Sequence, residues 1–315
     1  MTEAIRACYD VIRVHAKSFS LASRLLPREA RDRAVAVYAW CRRADDAVDL
    51  PGPEGRKAAL RALRAELEEI YAGRALREPA LQAFQHTVQD RGIPKRYPED
   101  LLDGMEMDVM GQRYETKEQL LHYCYCVAGS VGLMMCHIMG VKDEAAMRNA
   151  AHMGMAMQLT NICRDVDEDW NLGRLYIPES VLARCGLSNL AGELGGPFPE
   201  SARYPVAMAI ERLLDDADRY YASGDEGLSA LSWRCAMAIR TARTVYSSIG
   251  GHVRRADCDP LAGRAFVPLP RKLALAMVSV ATSSADLPAR AVRLEVGGAT
   301  TPARLVSFPE DVLPV

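Results

Sequence analysis

Apolar residues recur every three to four positions along most of the chain, while stretches that alternate apolar and polar residues are scarce. This is the helical period, so the chain is expected to be nearly all α. Helices are expected over about 2–16, 28–49, 55–72, 78–91, 97–111, 116–139, 144–171, 201–223, 227–254 and 270–284. The breaks fall at turn chemistry: Pro51-Gly52-Pro53, Gly92-Ile93-Pro94, Gly195-Gly196-Pro197 and Pro268-Leu269-Pro270. From Asp286 onward the period fades among Gly297, Gly298, Pro302, Pro309 and Pro314. One helical domain over 1–285 is expected, followed by a poorly ordered tail over 286–315.

The most apolar segment, Cys124 to Val141, is about as long as a spanning helix of roughly 17–25 residues. It contains His137 and the small residues Ala128, Gly129, Ser130 and Gly132, and no aromatic or basic belt flanks it. A buried core helix is the expected outcome. The amino-terminal residues mix charges through their first two turns and lack the unbroken apolar run of a signal peptide.

Composition narrows the chemistry. The 315 residues are 25% charged, with a formal net charge of −2, which gives no polyanion-binding surface and argues against a nucleic-acid partner. The nine cysteines form no CxxC pair and mostly sit in apolar helical patterns, as expected of reduced thiols in a cytosolic protein.

Two acidic clusters stand out. In a helix each residue advances about 100°, so Gln158, Asn161, Asp165 and Asp169, at offsets 0, 3, 7 and 11, share one stripe while Asp167 points away. Tyr38, Arg42, Asp45 and Asp49 repeat the arrangement at offsets 0, 4, 7 and 11. Carboxylates about 6 Å apart along the axis repel unless a cation lies between them. Oxygen donors without His or Cys suit Mg²⁺, with Mn²⁺ as the alternative, and Mg²⁺ completes its octahedron with water and substrate phosphate. A phosphorylated substrate is therefore expected, with arginines such as Arg42, Arg164, Arg174 and Arg264 supplying further positive charge.

Together with His15-Ala-Lys-Ser-Phe-Ser20, Gly104-Met-Glu-Met-Asp108, Tyr123-Cys-Tyr-Cys-Val-Ala-Gly-Ser-Val-Gly-Leu133 and Arg174-Leu-Tyr-Ile-Pro178, these clusters make the sequence resemble the squalene/phytoene synthase family over about residues 10–275, nearest its bacterial phytoene synthase branch. The resemblance implies an all-α isoprenoid-synthase bundle around a central cavity. It implies a Mg²⁺-dependent prenyltransferase that joins two geranylgeranyl diphosphates head to head, through a cyclopropyl diphosphate, to phytoene. Squalene or dehydrosqualene synthesis from two farnesyl diphosphates is the alternative. By matching positions, Asp45, Asp49, Asn161, Asp165 and Asp169 would hold metal, the four aspartates being the catalytic set. His15, Lys17, Ser18, Tyr38, Arg42, Tyr123, Gln158, Arg164, Tyr246 and Arg264 would contact substrate. Phe19, Leu21, Val127, Ala128, Val131, Leu133, Met134 and Met157 are candidate walls for the prenyl tails.

Two other readings remain. Asp45-Asp46-x-x-Asp49 also spells the motif of head-to-tail prenyltransferases and terpene cyclases. A di-iron bundle would need Glu-x-x-His pairs, and none of the six histidines has Glu three positions before it. The lipid character of substrate and product leads to an expected cytosolic location with contact at the inner membrane surface.

Overall fold

A computed structural model describes residues 2–15, 20, 22–48, 52–265 and 267–285, together with 303, 304, 306, 308 and 313. The helices are α1 (Thr2–His15), α2 (Arg28–Val48), α3 (Pro53–Tyr71), α4 (Pro79–Arg91), α5 (Arg96–Val109), α6 (Lys117–Cys124), α7 (Ser130–Met139), α8 (Glu144–Arg164), α9 (Val166–Asn171), α10 (Glu179–Arg184), α11 (Arg203–Gly227), α12 (Trp233–Arg255) and α13 (Leu269–Ala285). No strand occurs among the described residues.

Local chemistry sets many of the ends. Prolines open α3 and α4, where an absent N–H costs nothing. Thr116 and Gln119 close a capping box at the start of α6, and Gly140 ends α7 in the left-handed conformation at φ 75°. Asp143 caps α8 by accepting from the Ala145 N–H at 3.3 Å.

The apolar segment expected in the core is there. Lys117–Met139 is long and apolar enough to cross a membrane, but it packs between α5 and α8. One π-helical turn, Tyr125–Gly129, links α6 to α7, and Ser130 Oγ bonds back to the Cys126 carbonyl at 2.6 Å. Such a turn changes the helix face by one residue and favours functional sites. A single period of 3.6 does not show it.

Glycines bring α7 and α8 together. A Cβ on Gly154 would lie 2.3 Å from the Ala128 carbonyl oxygen, and one on Gly132 would lie 2.5 Å from that of Ala150. Across the other side of α8, His152 Nδ1 and Ser223 Oγ are 2.7 Å apart, Ser223 donates to Asn149 Oδ1 at 3.0 Å, and Thr160 Oγ1 lies 3.1 Å from the Tyr221 hydroxyl. Helix α8 is thus clamped between α7 and α11, and its remaining face borders an open interior.

Several boundaries differ from expectation: the helix expected from 227 begins at Trp233, and the short α10, Glu179–Arg184, was not expected. The helix expected over 144–171 is interrupted at Asp165, whose φ of −104° and ψ of 16° leave the helical region. The helix expected to stop at 223 runs to Gly227, because Gly224 and Gly227 pack against Met153 and Asn149 of α8, and this contact outweighs their poor helix propensity. Of the tail, 286–302 lies outside the described residues, while Ala303 is buried and Phe308 packs against His152 and Tyr220.

Candidate active site

Two adjoining cavities lie among the helices. The larger, about 650 Å³, is walled by apolar residues of α2, α7, α8, α11 and α12, with Tyr38, Gln158, Asn161, Tyr246 and Lys272 as polar exceptions. The smaller, about 340 Å³, is polar and lined by Arg42, Asp45, Arg56, Asp108, Tyr123, Gln158, Arg174 and Tyr176. Val127 and Gln158 border both. A polar head and a long apolar tail would therefore be accommodated side by side.

Besides Arg56 of α3 and Gln158 of α8, four elements build the polar cavity. Helix α2 contributes Arg42 and Asp45, the end of α5 contributes Asp108, α6 contributes Tyr123, and the segment after α9 contributes Arg174 and Tyr176. Asp108 accepts from the Tyr123 hydroxyl at 2.9 Å and from the Tyr176 hydroxyl at 2.7 Å. The rings of Tyr114, Tyr123 and Tyr176 pack within 6.1 Å of one another. Burial first, and the Asp108 charge second, push the Tyr123 and Tyr176 phenols far up, so both are neutral donors at any physiological pH.

The second acidic cluster divides. Gln158 and Asn161 border the apolar cavity, and Asn161 Nδ2 donates to Gln158 Oε1 at 3.3 Å. Asp165 is held from both sides: Arg164 Nε lies at 2.7 Å from its Oδ1 and Arg264 Nε at 3.2 Å. Arg264 also reaches Glu168 at 3.0 Å. Asp169 is pushed up to about 7, by burial most of all, then by Asp165, with Arg174 pulling the other way and Asp108 and Glu168 adding to the rise. Asp167 accepts from Asn171 on an exposed surface, as its direction on the stripe implied.

The expected single stripe is therefore corrected in one respect. The interruption at Asp165 takes α9 out of the register of α8, and Asp165 points into two guanidinium groups. In the first cluster Arg42 pairs with Asp46 on its own helix while both Arg42 and Asp45 line the polar cavity. Among the described residues no three His, Cys, Asp or Glu side chains converge as a metal site. Asp49, Lys17, Ser18, Phe19 and Leu21 lie outside the described residues, and so does the side chain of His15 at the end of α1.

The remaining donors still fit a hard divalent cation. Asn161 Oδ1 is buried with no hydrogen-bond partner among the described residues. Asp169 is raised by burial first and by the Asp165 charge second, so its ionised form lacks a compensating cation. Both features are relieved by an oxygen-seeking ion and neither by a thiol-seeking one.

Tyr38 and Tyr246 line the apolar cavity near its polar end; burial lifts Tyr38 to about 12 and raises Tyr246, which Arg164 opposes. Of the expected walls, Val127, Ala128, Val131 and Met157 line the cavity, whereas Leu133 and Met134 are fully buried on the other face of α7. Sequence reasoning missed Arg56, and quoted Asp108 and Tyr176 only within motifs. The signal for Asp108 was present, an acid on the buried side of α5, but its two tyrosine partners are 15 and 68 residues away.

Residues 12–271 match the squalene/phytoene synthase family. The chain belongs to this family. It is 39% identical over 291 residues to a phytoene synthase of Rhodobacter capsulatus, covering 91% of this chain and 85% of that one. It is 40% identical over 272 residues to a 15-cis-phytoene synthase of Enterobacter agglomerans, covering 83% and 90%. Among solved structures, a ligand-bound dehydrosqualene synthase superposes with a TM-score of 0.81 at 29% identity, covering 90% of this chain and 98% of that one. A squalene synthase from Alicyclobacillus acidocaldarius gives 0.73 at 28% identity, covering 82% and 96%. The all-α architecture is thus the helical fold shared with squalene and dehydrosqualene synthases.

Proposed function

We propose that the protein is a phytoene synthase, joining two geranylgeranyl diphosphates head to head through a cyclopropyl diphosphate intermediate. The observation that carries the reading is the paired cavity, one polar and one apolar, in a chain 39% identical to a phytoene synthase over 91% of its length.

Asp45, Asn161 and Asp169, with Asp49 and Asp165, would hold Mg²⁺ or Mn²⁺, which when bound supplies Lewis-acid stabilisation of the departing diphosphate. Arg42, Arg56 and Arg174 line the polar cavity and offer forked donors to diphosphate oxygens. As the C–O bond breaks, charge grows on those oxygens, and donors fixed in advance favour ionisation. The Arg164 and Arg264 pairs on Asp165 can exchange for substrate oxygens, since the same guanidinium groups serve either anion. Apolar walls keep water from the allylic cation, which it would trap as an alcohol. The neutral Tyr123 ring, fixed by its bond to Asp108, offers a cation-stabilising surface in the wall of the polar cavity.

Mass analysis of the product formed from geranylgeranyl diphosphate and Mg²⁺ tests the reading, which expects a C40 hydrocarbon. The likeness to dehydrosqualene synthase favours one second reading, condensation of two farnesyl diphosphates. Turnover of the C15 substrate alone, with and without NADPH, would establish that reading instead. We further propose a cytosolic location with contact at a membrane surface, because substrate tails and product partition into lipid. Flotation with liposomes checks this, and absence of association with and without substrate rejects it.

A further inference from the structure

We infer that the carboxyl-terminal residues Ala303, Arg304 and Phe308 form a strap over the distal end of the apolar cavity and so limit the length of prenyl chain admitted.

Ala303 is 7% exposed and sits in one apolar cluster with Ala34, Val141, Ala146, Leu228 and Leu231. Those five residues also line the apolar cavity, and Ala34 on α2 and Ala146 on α8 are the lining residues of their helices farthest along the chain from Arg42 and Gln158 of the polar cavity. The strap is therefore the outer layer of the same wall whose inner surface meets the cavity.

Backbone bonds fix it in register. The Ala303 N–H donates to Asp143 Oδ2 at 2.9 Å, while the other oxygen of the same carboxylate caps α8. The Arg304 carbonyl accepts from Asn149 Nδ2 at 3.1 Å. Asn149 is fully buried at the crossing of α8 and α11, where its Cβ faces Gly227, another cavity residue. Phe308 then anchors the segment: its ring lies 5.3 Å from His152 and 4.7 Å from Tyr220, with the Arg219 guanidinium 4.9 Å from its centroid. The His152 ring in turn shares the hydrogen-bond chain through Ser223 to Asn149. Strap, helix crossing and cavity end form one packed unit. An interior at this density transmits a missing layer as an opening rather than a local gap.

This inference rests on the reading of the cavity as a prenyl-tail site, so the experiment separates the two. Binding of non-ionising prenyl thiodiphosphates of 15, 20 and 25 carbons, in which sulfur replaces the bridging oxygen, is measured by calorimetry with Mg²⁺. The full chain is compared with a chain lacking residues 303–315 and with Phe308→Ala. The expected result is that the full chain discriminates against the C25 analogue and that loss of the strap relaxes the C25-to-C20 affinity ratio by about tenfold, with a smaller shift in the same direction for Phe308→Ala. An unchanged ratio in chains that keep their helical circular dichroism overturns the strap. If the truncated chain loses that signal, the ratio for Phe308→Ala decides the question alone. A full chain that binds none of the analogues overturns the tail-site reading, and the strap's selective role with it.

Discussion

The Tyr176 hydroxyl donates to Asp108 Oδ1 at 2.7 Å and ties the segment after the second acidic cluster to the end of α5. Loss of this bond leaves a half-buried carboxylate with one donor fewer, so Tyr176→Phe is expected to cost about 1–2 kcal/mol in urea unfolding. Because Asp108 also orients Tyr123, turnover is expected to fall about tenfold with little change in substrate affinity. A larger rise in KM than fall in kcat would show instead that Tyr176 acts only by binding.

Asp45 and Asp167 make a contrasting pair. The first lines the polar cavity, and the second bonds Asn171 at an exposed surface. Asp45→Asn is expected to reduce kcat/KM about a hundredfold or more, by analogy with removal of one charge-stabilising group. Asp167→Asn should stay within about twofold, as exposed substitutions do. Steady-state assay of both variants, with thermal melts to establish folding, decides the matter.

Asp169 gives a pH prediction. Its folded value is about 7 against an ordinary 3.8, so between about pH 4 and 7 the folded chain keeps a proton that the unfolded chain has released. Stability of the metal-free protein should therefore fall as pH rises through that window, with the contribution gone above 7. Asp169→Asn should flatten the slope. At pH 8 added Mg²⁺ should raise the Tm of the natural chain by several degrees, about what 1 kcal/mol or more of ligand linkage gives. Melts at fixed ionic strength from pH 4.5 to 8 provide the measurement.

The approach of the π-helical turn to α8 can be tested with one methyl group. Gly154→Ala places Cβ against the Ala128 carbonyl, which cannot move as a side chain would, and should destabilise by about 1–3 kcal/mol. Gly251→Ala, on α12, meets only Arg255 Nη1 at 3.8 Å and should instead stabilise by about 0.5–1 kcal/mol through helix propensity. Denaturant unfolding of the two variants measures both signs.

Apolar periodicity was sufficient to place the helices and the buried segment around Gly129, because the period of a helix is a property of neighbouring residues. The acidic clusters were visible for the same reason, although Asp49 lies outside the described residues and the second stripe is broken at Asp165. The family motifs carried the proposed substrate contacts Tyr38, Arg42, Gln158 and Tyr123, each of which borders at least one of the two cavities. The interruption at Asp165 was not legible. There the guanidinium groups of Arg164 and Arg264 converge on one carboxylate, and Arg264 is distant in sequence.

The chain's own pattern therefore determined an all-α protein with two acidic clusters and an apolar interior, since these arise from spacing along single helices. Tertiary structure alone decided that Tyr176 and Tyr123 meet at Asp108, that Gln158 stands between a polar and an apolar cavity, and that Ala303 shares an apolar cluster with residues of the cavity wall. Each of these joins residues from separate helices or segments, and what brings them together is the burial of complementary surfaces, which no local spacing encodes.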